Sequence, residues 1–358
     1  MRFVHTADWH LGRSFHGYSL IEEQRHLLQE LYKFLSSHKV DAVFIAGDIF
    51  DRSIPPLEAL SVLDDFISRT ILDLKIPILM IPGNHDSLLR LTFASRLLER
   101  ESLYIASSVR DLYQPMEIKG VKIHCLPFCE SGHYNAPWIE QGEDIFYSSL
   151  LRRIPFSSRV PRVLLAHLYV NKGLSSDSER GGLGAISSSV FHPFHYTALG
   201  HLHRHQIWDK KVVYSGSIMK YSYSELSQEK GFCYGELNNG KLNVDFIPLK
   251  PKREVRECHG FLDDLLKIAK SEDFLFIQLE DEGVVYDAFS RLKERFPYLL
   301  QIMRKEVKDN FTISNEANRI KTESFQGERL FEEFCNFSPT PVFANSIAAN
   351  SVPEETTE

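Results

Sequence analysis

Five stretches of this sequence end in side chains able to bind cations or move protons. They are Asp8-Trp9-His10, Gly47-Asp48-Ile49-Phe50-Asp51, Gly83-Asn84-His85-Asp86, the lone His167, and Gly200-His201-Leu202-His203. The donors are carboxylates, an amide oxygen and imidazoles, with no thiolate. That mixture suits Mn, Fe or Zn in a reactive site better than a closed structural zinc cage. Asp48 follows a glycine, which lets the chain turn sharply after a strand, and its two oxygens could each face one cation. Taken singly, every stretch also has a plain structural explanation. An Asp after a strand is often a helix N-cap, Gly-Asn is good turn chemistry, and isolated histidines are often structural. The joint pattern is different, because chance coincidences at five places multiply. Asp8, His10, Asp48, Asn84, His167, His201 and His203 are too many donors for one ion and about right for two that share Asp48. Two ions a few ångströms apart clamp a phosphate, generate hydroxide and stabilise the leaving oxygen. The residues by themselves therefore point to phosphoester hydrolysis.

Each stretch needs an element to deliver it. Phe3-Val4, Ala42 to Ala46, Ile76 to Ile81, Val163 to Ala166 and Tyr196 to Leu199 are short, apolar and bounded by Gly, Pro or polar residues, which predicts buried strands. Residues two apart on a strand share a face, so Asp8 with His10, and His201 with His203, are expected to point the same way. Leu20, Ile21, Leu27, Leu28, Leu31, Phe34 and Leu35 fall on one face at helical spacing, and Leu57 to Leu72 gives a second helical pattern. Strand, helix, strand, helix, strand predicts a parallel α/β core, with ligands bound beyond the carboxyl ends of its strands. After about residue 245 the texture changes. Pro248, Lys250, Pro251, Lys252 and Arg253 read as a basic linker. Residues 260–305 then read as helix, strand, helix, strand, with Phe261, Leu262, Leu265, Leu266 and Ile268 on the first helix and Phe274 to Leu279 on a strand. From Ser338 onward the chain is polar and disorder is expected.

With 358 residues, 43% hydrophobic and 25% charged, the chain has ordinary globular composition and room for a large domain plus a smaller one. Its formal net charge of −7 speaks against a protein that coats DNA, though not against an enzyme that meets phosphates through metal ions and a local basic patch. Cys125, Cys129, Cys233, Cys258 and Cys335 are odd in number and form no CxxC pair, which fits a reduced, cytoplasmic setting. No signal peptide opens the sequence, and no apolar run approaches the length of a membrane span.

In this order the motifs resemble the calcineurin-like metallophosphoesterase superfamily. Further segments are similar to the SbcD-type DNA repair nucleases: His10-Leu11-Gly12-Arg13, Ser19 to Gln24, Ala198 to His203, Tyr214-Ser215-Gly216-Ser217, Tyr221 to Glu225 and Gln228 to Gly231. The likeness covers roughly residues 1–250 and is looser beyond. It implies an α/β fold, a four-layer α/β sandwich with a small α+β C-terminal cap. A nuclease domain would span 1–248, a DNA-facing cap 249–321, and a partner-binding helix with a disordered tail 322–358. It also implies two Mn2+ ions, with Mg2+, Fe2+ or Zn2+ as alternatives. Asp8, His10, Asp48 and His203 would hold one ion, Asp48, Asn84, His167 and His201 the other, and Asp48 would bridge. His85 would be catalytic without ligating, steering or protonating the phosphate. The implied activity is double-strand exonuclease and single-strand or hairpin endonuclease cleavage. The implied partners are DNA and an SMC-like ATPase of the SbcC type, in a heterotetramer built on a homodimer, with no membrane.

Arg13, Lys250, Lys252 and Arg253, with Arg256, are candidate DNA contacts, and the basic stretch reads equally as a solvated linker. Leu330, Phe331, Phe334 and Phe337 at helical spacing could dock on the ATPase or pack on their own domain. Asp51 stands where some relatives carry a His, so no role of that His carries over. Two other readings compete: a phosphoesterase for a nucleotide or phosphoprotein, and a non-catalytic scaffold, which would have no reason to keep Asp48 and His85.

Overall fold

The computed structural model describes residues 1–129, 143–155, 160–170, 175 and 186–304. All belong to one compact unit, Met1–Lys305. The expected docking helix and disordered tail, and Cys335, lie outside the described residues. The chain begins with β1 (Arg2–Thr6), a small hairpin of β2 (Ser14–Phe15) and β3 (Tyr18–Ser19), α1 (Ile21–Ser37), β4 (Ala42–Ala46), α2 (Leu57–Leu72) and β5 (Ile78–Ile81). It continues through the short α3 (Leu88–Leu91) and α4 (Ser95–Leu98) to β6 (Leu103–Ile105), β7 (Met116–Ile118), β8 (Val121–Leu126), α5 (Glu143–Arg152), β9 (Arg162–His167) and β10 (Tyr196–Gly200). Two hairpins follow, β11 (Gln206–Trp208) with β12 (Val212–Tyr214), and β13 (Gly231–Asn238) with β14 (Lys241–Pro248).

The strands form two six-stranded sheets, ordered β14-β13-β1-β4-β5-β6 and β11-β12-β10-β9-β8-β7. Strand alternation explains how they pack. On β1, β4 and β5, Phe3, Phe44, Leu79 and Ile81 join Val163, Leu165, Tyr196 and Ala198 of β9 and β10 in an apolar layer between the sheets. Val4, Val43, Ile45, Ile78 and Met80 point the other way and are covered by Leu27, Leu28, Leu31 and Leu35 of α1 and by Val62, Leu63 and Phe66 of α2. Leu164, Ala166 and Leu199 point outward from the second sheet and pack on Phe146, Tyr147 and Leu150 of α5. Helices, sheet, sheet and helix make the four layers of an α/β sandwich. The five strands read from sequence thus divide between two sheets, three in one and two in the other.

Beyond β14 lies a smaller module: β15 (Val255–Gly260), α6 (Leu262–Leu265), β16 (Phe274–Leu279), α7 (Ala288–Lys293) and β17 (Leu299–Arg304). Its three strands are parallel. The expected first helix is a single turn, and the sequence reading missed β15. Alternation on β16 again sets two faces. Leu275, Ile277 and Leu279 pack under α6 and α7, whereas Phe274 and Phe276 enter the core that α1 and the hairpin share. Each buried aromatic contributes roughly 1.5–3 kcal/mol, so apolar docking holds the module to the sandwich. The expected basic linker is tied down as well: Arg253 pairs with buried Glu23 of α1 and lies 4.3 Å over the ring of Tyr298.

Candidate metal centre

The polar residues that follow β1, β4, β5 and β10, and His167 at the end of β9, converge where the carboxyl ends of the two sheets meet. They do not converge by strand alternation. β1 ends at Thr6, and Asp8 and His10 adopt left-handed backbone, with φ of 52° and 45°; Asp48 (50°) and His201 (102°) do the same. Such conformations cost non-glycine residues of order 1–3 kcal/mol and persist only where the surroundings over-determine them. Here the ladder between the first and fourth strands continues past their ends. Asp8 N–H donates to Gly47 O at 3.0 Å, His10 N–H to Asp48 O at 3.0 Å and Leu11 N–H to Ile49 O at 2.9 Å. Between them Trp9 is fully buried, edge-on to Phe66, with its indole N–H on Thr6 Oγ1 at 2.8 Å. That anchor turns Asp8 and His10 together toward the site.

Two glycines permit the close approach. Gly47 has φ 88°, and a Cβ there would lie 2.4 Å from His167 Nδ1. A Cβ on Gly83 would lie 2.2 Å from Asp48 Oδ1.

Around Asp48 the donors fall into contacting sets. His10 Nε2 and His203 Nε2 are 3.0 Å apart, and His10 Nε2 is 3.7 Å from Asp48 Oδ2. His167 Nε2 is 3.5 Å from the same oxygen and 2.9 Å from Asn84 Oδ1, which also meets His201 Nδ1 at 3.2 Å. Asp8 Oδ1 accepts the His201 backbone N–H at 2.9 Å. Donor atoms of Asp8, His10 and Asp48 lie within 4.8 Å of one another, as do those of His10, Asp51 and His85.

The second nitrogen of several rings is tied off. His167 Nδ1 donates to Ala46 O at 2.8 Å, His203 Nδ1 meets Glu225 Oε1 at 3.1 Å, and His85 Nδ1 meets Asp51 O at 2.7 Å. Ties of this kind fix a ring's orientation and leave its other nitrogen to face the site. Glu225 is itself buried and paired with Lys230 at 2.6 Å. His85 N–H donates to Asp48 Oδ1 at 2.9 Å. Behind the turn, the Asp86 carboxylate accepts N–H groups of Ile49, Phe50 and Gly83 at 3.1, 2.9 and 2.9 Å.

The electrostatics favour positive charge among these atoms. Burial pushes the Asp48 carboxyl up, yet His167 and His10 draw it well below the usual carboxylate range. Burial lowers His167, but Asp48 outweighs it and lifts the ring to about 9. Burial lowers His201 to about 3 and lowers His203, so both rings offer lone pairs. Burial also raises Asp86 to about 6, with Asp48 adding to the effect. With His167 Nδ1 spent on Ala46, the proton on Nε2 lies toward Asn84 Oδ1 and Asp48. A divalent cation would take the place of that proton, and the donor set of carboxylate, amide oxygen and imidazole suits one.

The structure therefore brings Asp8, His10, Asp48, Asn84, His167, His201, His203 and His85 together. Arg13 is adjacent, 3.3 Å from Asp51. Lys250, Lys252 and Arg253 are not part of the cluster: Arg253 is engaged by Glu23, and the other two are exposed around the end of β14. Sequence reasoning gave no role to Asp51, Asp86 or Glu225. A carboxylate turned toward backbone amides or toward the back of an imidazole has no spacing signal.

A sequence profile described as calcineurin-like phosphoesterase matches residues 1–205, a span that holds every one of the converging donors. Two curated proteins are similar over most of their length, and each is named as the SbcD subunit of the nuclease SbcCD. The one from Staphylococcus saprophyticus is 31% identical over 350 residues, 94% of this chain and 93% of its own. The one from Staphylococcus epidermidis is 33% identical over 317 residues, 84% and 85% respectively.

Proposed function

The chain belongs to the calcineurin-like phosphoesterase family and, within it, to the SbcD nucleases, and from that premise we propose a two-metal, manganese-dependent nuclease acting on DNA ends and hairpins. It is a metal-dependent phosphodiesterase. We assign one ion to Asp8, His10, Asp48 and His203 and the other to Asp48, Asn84, His167 and His201. The observation that carries this reading is that one carboxylate, Asp48, has a contacting His10–His203 pair within reach and a contacting His167–Asn84 pair within reach as well. Bound there, divalent cations supply Lewis acidity and neutralise charge on the phosphodiester.

The chain's own residues do the rest. Glu225 and Ala46 O hold two of the rings in one orientation, so little reorganisation accompanies reaction. His85 is hinged by its Nδ1 contact to Asp51 O, which presents Nε2 to the substrate side. From there it steers a phosphate oxygen and holds the proton for the departing oxygen.

Residues 1–248 are read as the catalytic domain, 249–321 as the DNA-facing cap and 322–358 as the partner-binding segment. Lys250 and Lys252, exposed and without an ion pair among the described residues, are the better DNA contacts on the cap, since Arg253 and Arg256 are engaged by Glu23 and Asp273. An SMC-like ATPase is the proposed partner, in a cytoplasmic heterotetramer; no described helix is long and apolar enough to cross a membrane. Leu57, Leu89, Phe93 and Leu97 are exposed by 79, 85, 81 and 66%, and apolar exposure on that scale supports a homodimer.

The test is cleavage of hairpin and linear duplex DNA and of an aryl phosphodiester, with manganese, with and without the ATPase. His85→Ala is expected to abolish DNA cleavage while manganese still binds. Activity on the small ester with none on DNA, even with the partner, would refute the nuclease reading.

A further inference from the structure

The two-ion reading gives no work to the carboxylate of Asp51, yet it is held beside the donor cluster. Asp51 closes the turn that carries Asp48. Its carbonyl meets His85 Nδ1, and its carboxylate stands 3.3 Å from Arg13 Nη1 and 3.7 Å from His10 Nδ1. His10 Nδ1 is buried and makes no hydrogen bond. Arg13 is equally restrained. Its N–H donates to His10 O at 3.0 Å and its carbonyl accepts Leu20 N–H at 3.0 Å. Its guanidinium sits 5.1 Å from the ring centre of Tyr221. Tyr221 is buried and fixed in turn by the Trp9 carbonyl and by Gln24 at 3.1 Å. The side chains of Arg13 and Asp51 are only 17% and 26% exposed.

A guanidinium is a rigid planar fork whose donors match phosphate oxygens. One nitrogen of Arg13 faces Asp51, and the cation rests on an aromatic ring. The remaining donors are pre-aimed, with little rotamer freedom left to lose on binding. The His10 ring sets the position. Its Nε2 faces His203 and Asp48, and its Nδ1 faces Asp51. Asp51, with Arg13 paired to it, therefore stands at the Nδ1 edge of that ring, away from the Nε2 edge that meets His203 and Asp48. We propose that Asp51 is a positioning residue that aims Arg13 at the phosphate next to the one being cut on a polynucleotide strand. This inference rests on the nuclease reading.

The experiment measures binding of the full-length chain to a hairpin oligonucleotide over a salt series, with manganese, in a His85→Gln background that leaves the DNA intact. Each phosphate contact contributes about 0.9 to the slope of log K against log salt on duplex, about 0.7 on single strand. Arg13→Ala is expected to lower the slope by about one contact. Asp51→Ala is expected to lower it by the same amount, and the double variant no further, because both remove one contact. Asp51→Asn, which keeps the shape and one acceptor, retains part of the slope. With His85 intact, both alanine variants raise KM for DNA about tenfold, the loss of about one charge-assisted hydrogen bond, with kcat changed far less. Tighter DNA binding by Asp51→Ala would mean that Asp51 merely quenches Arg13, and the proposal would fall. It would fall equally if neither variant lowered the slope. Absence of DNA binding in the parent protein would sink the nuclease reading and the proposal with it.

Discussion

Glu225 separates what stabilises this fold from what tunes its site. Its carboxylate is fully buried, 2.6 Å from Lys230 Nζ and 3.1 Å from His203 Nδ1. Glu225→Gln keeps the shape and an acceptor for His203 but strands a buried ammonium. Breaking a buried pair from one side costs about 3–5 kcal/mol, which for a chain of this size lowers Tm by on the order of 5–10 °C. The acid side of the stability profile should change too. Burial pushes Glu225 up, but the His203 hydrogen bond and the Lys230 charge hold it well below the ordinary glutamate range. The pair's contribution is therefore present at neutral pH and is lost as pH falls below the unfolded glutamate pKa, and the variant should show a flatter acid limb. A carboxylate behind a ligand imidazole also raises the ring's basicity, worth 10–100-fold in metal affinity. Adding Lys230→Met removes the stranded charge, so Glu225→Gln/Lys230→Met should recover most of the stability and none of the metal affinity. Scanning calorimetry and manganese titration read the two quantities separately. Full recovery of both in the double variant, or loss of neither in the single one, would refute the reasoning.

Gly200→Ala places a Cβ 1.9 Å from Ala46 O, across the seam between the sheets, whereas Gly235→Ala meets the Phe3 ring at 2.2 Å within one sheet. Both should destabilise by about 1–3 kcal/mol as overpacking does, but only Gly200→Ala should weaken manganese binding in calorimetric titration. Asp86→Asn trades an acceptor of three backbone N–H groups for one with a misplaced NH2, and should lower stability by roughly 1–3 kcal/mol in urea denaturation. Manganese at about a hundredfold over its Kd should raise stability by ~2.7 kcal/mol, a shift that Asp48→Asn abolishes in a thermal melt.

The strands that carry the donors were legible because burial on both faces leaves them continuously apolar. β14 was not, since its residues alternate between exposed and half-buried along Lys241–Pro248 and include Lys241, Asn243 and Asp245. β15 carries Arg256, Glu257 and His259 and reads as charged linker until Phe274 and Phe276 are seen to bury one face of its neighbour β16. At the site, residue type and order marked the donors, but the route by which they converge was misread. Alternation along an extended strand predicts that Asp8 and His10 share a face; the chain reaches the same end by two left-handed residues flanking a buried Trp9. Glu225 escaped notice because it lies among serines, on a short 3-10 turn that follows no strand.

That route explains why the strain is tolerated. Donors arriving from five separate strand ends can surround a small volume only if the chain turns within a few residues of each strand. A freely turning loop would leave the donors adaptable and would spend binding energy on ordering them. Here the backbone bonds of the first and fourth strands run on through Asp8, His10 and Leu11, and the Asp86 carboxylate gathers the amides of Ile49, Phe50 and Gly83. The turns are thereby extensions of the sheet. Across the seam, His167 Nδ1 is fixed to the Ala46 carbonyl and His201 N–H to Asp8 Oδ1. The distance between the two donor groups is therefore set by the packing of Phe3, Phe44, Leu165 and Tyr196 between the sheets. Left-handed backbone at Asp8, His10, Asp48 and His201 is what converts that packing distance into a spacing of donors, and it fixes the geometry before a cation or a phosphate arrives.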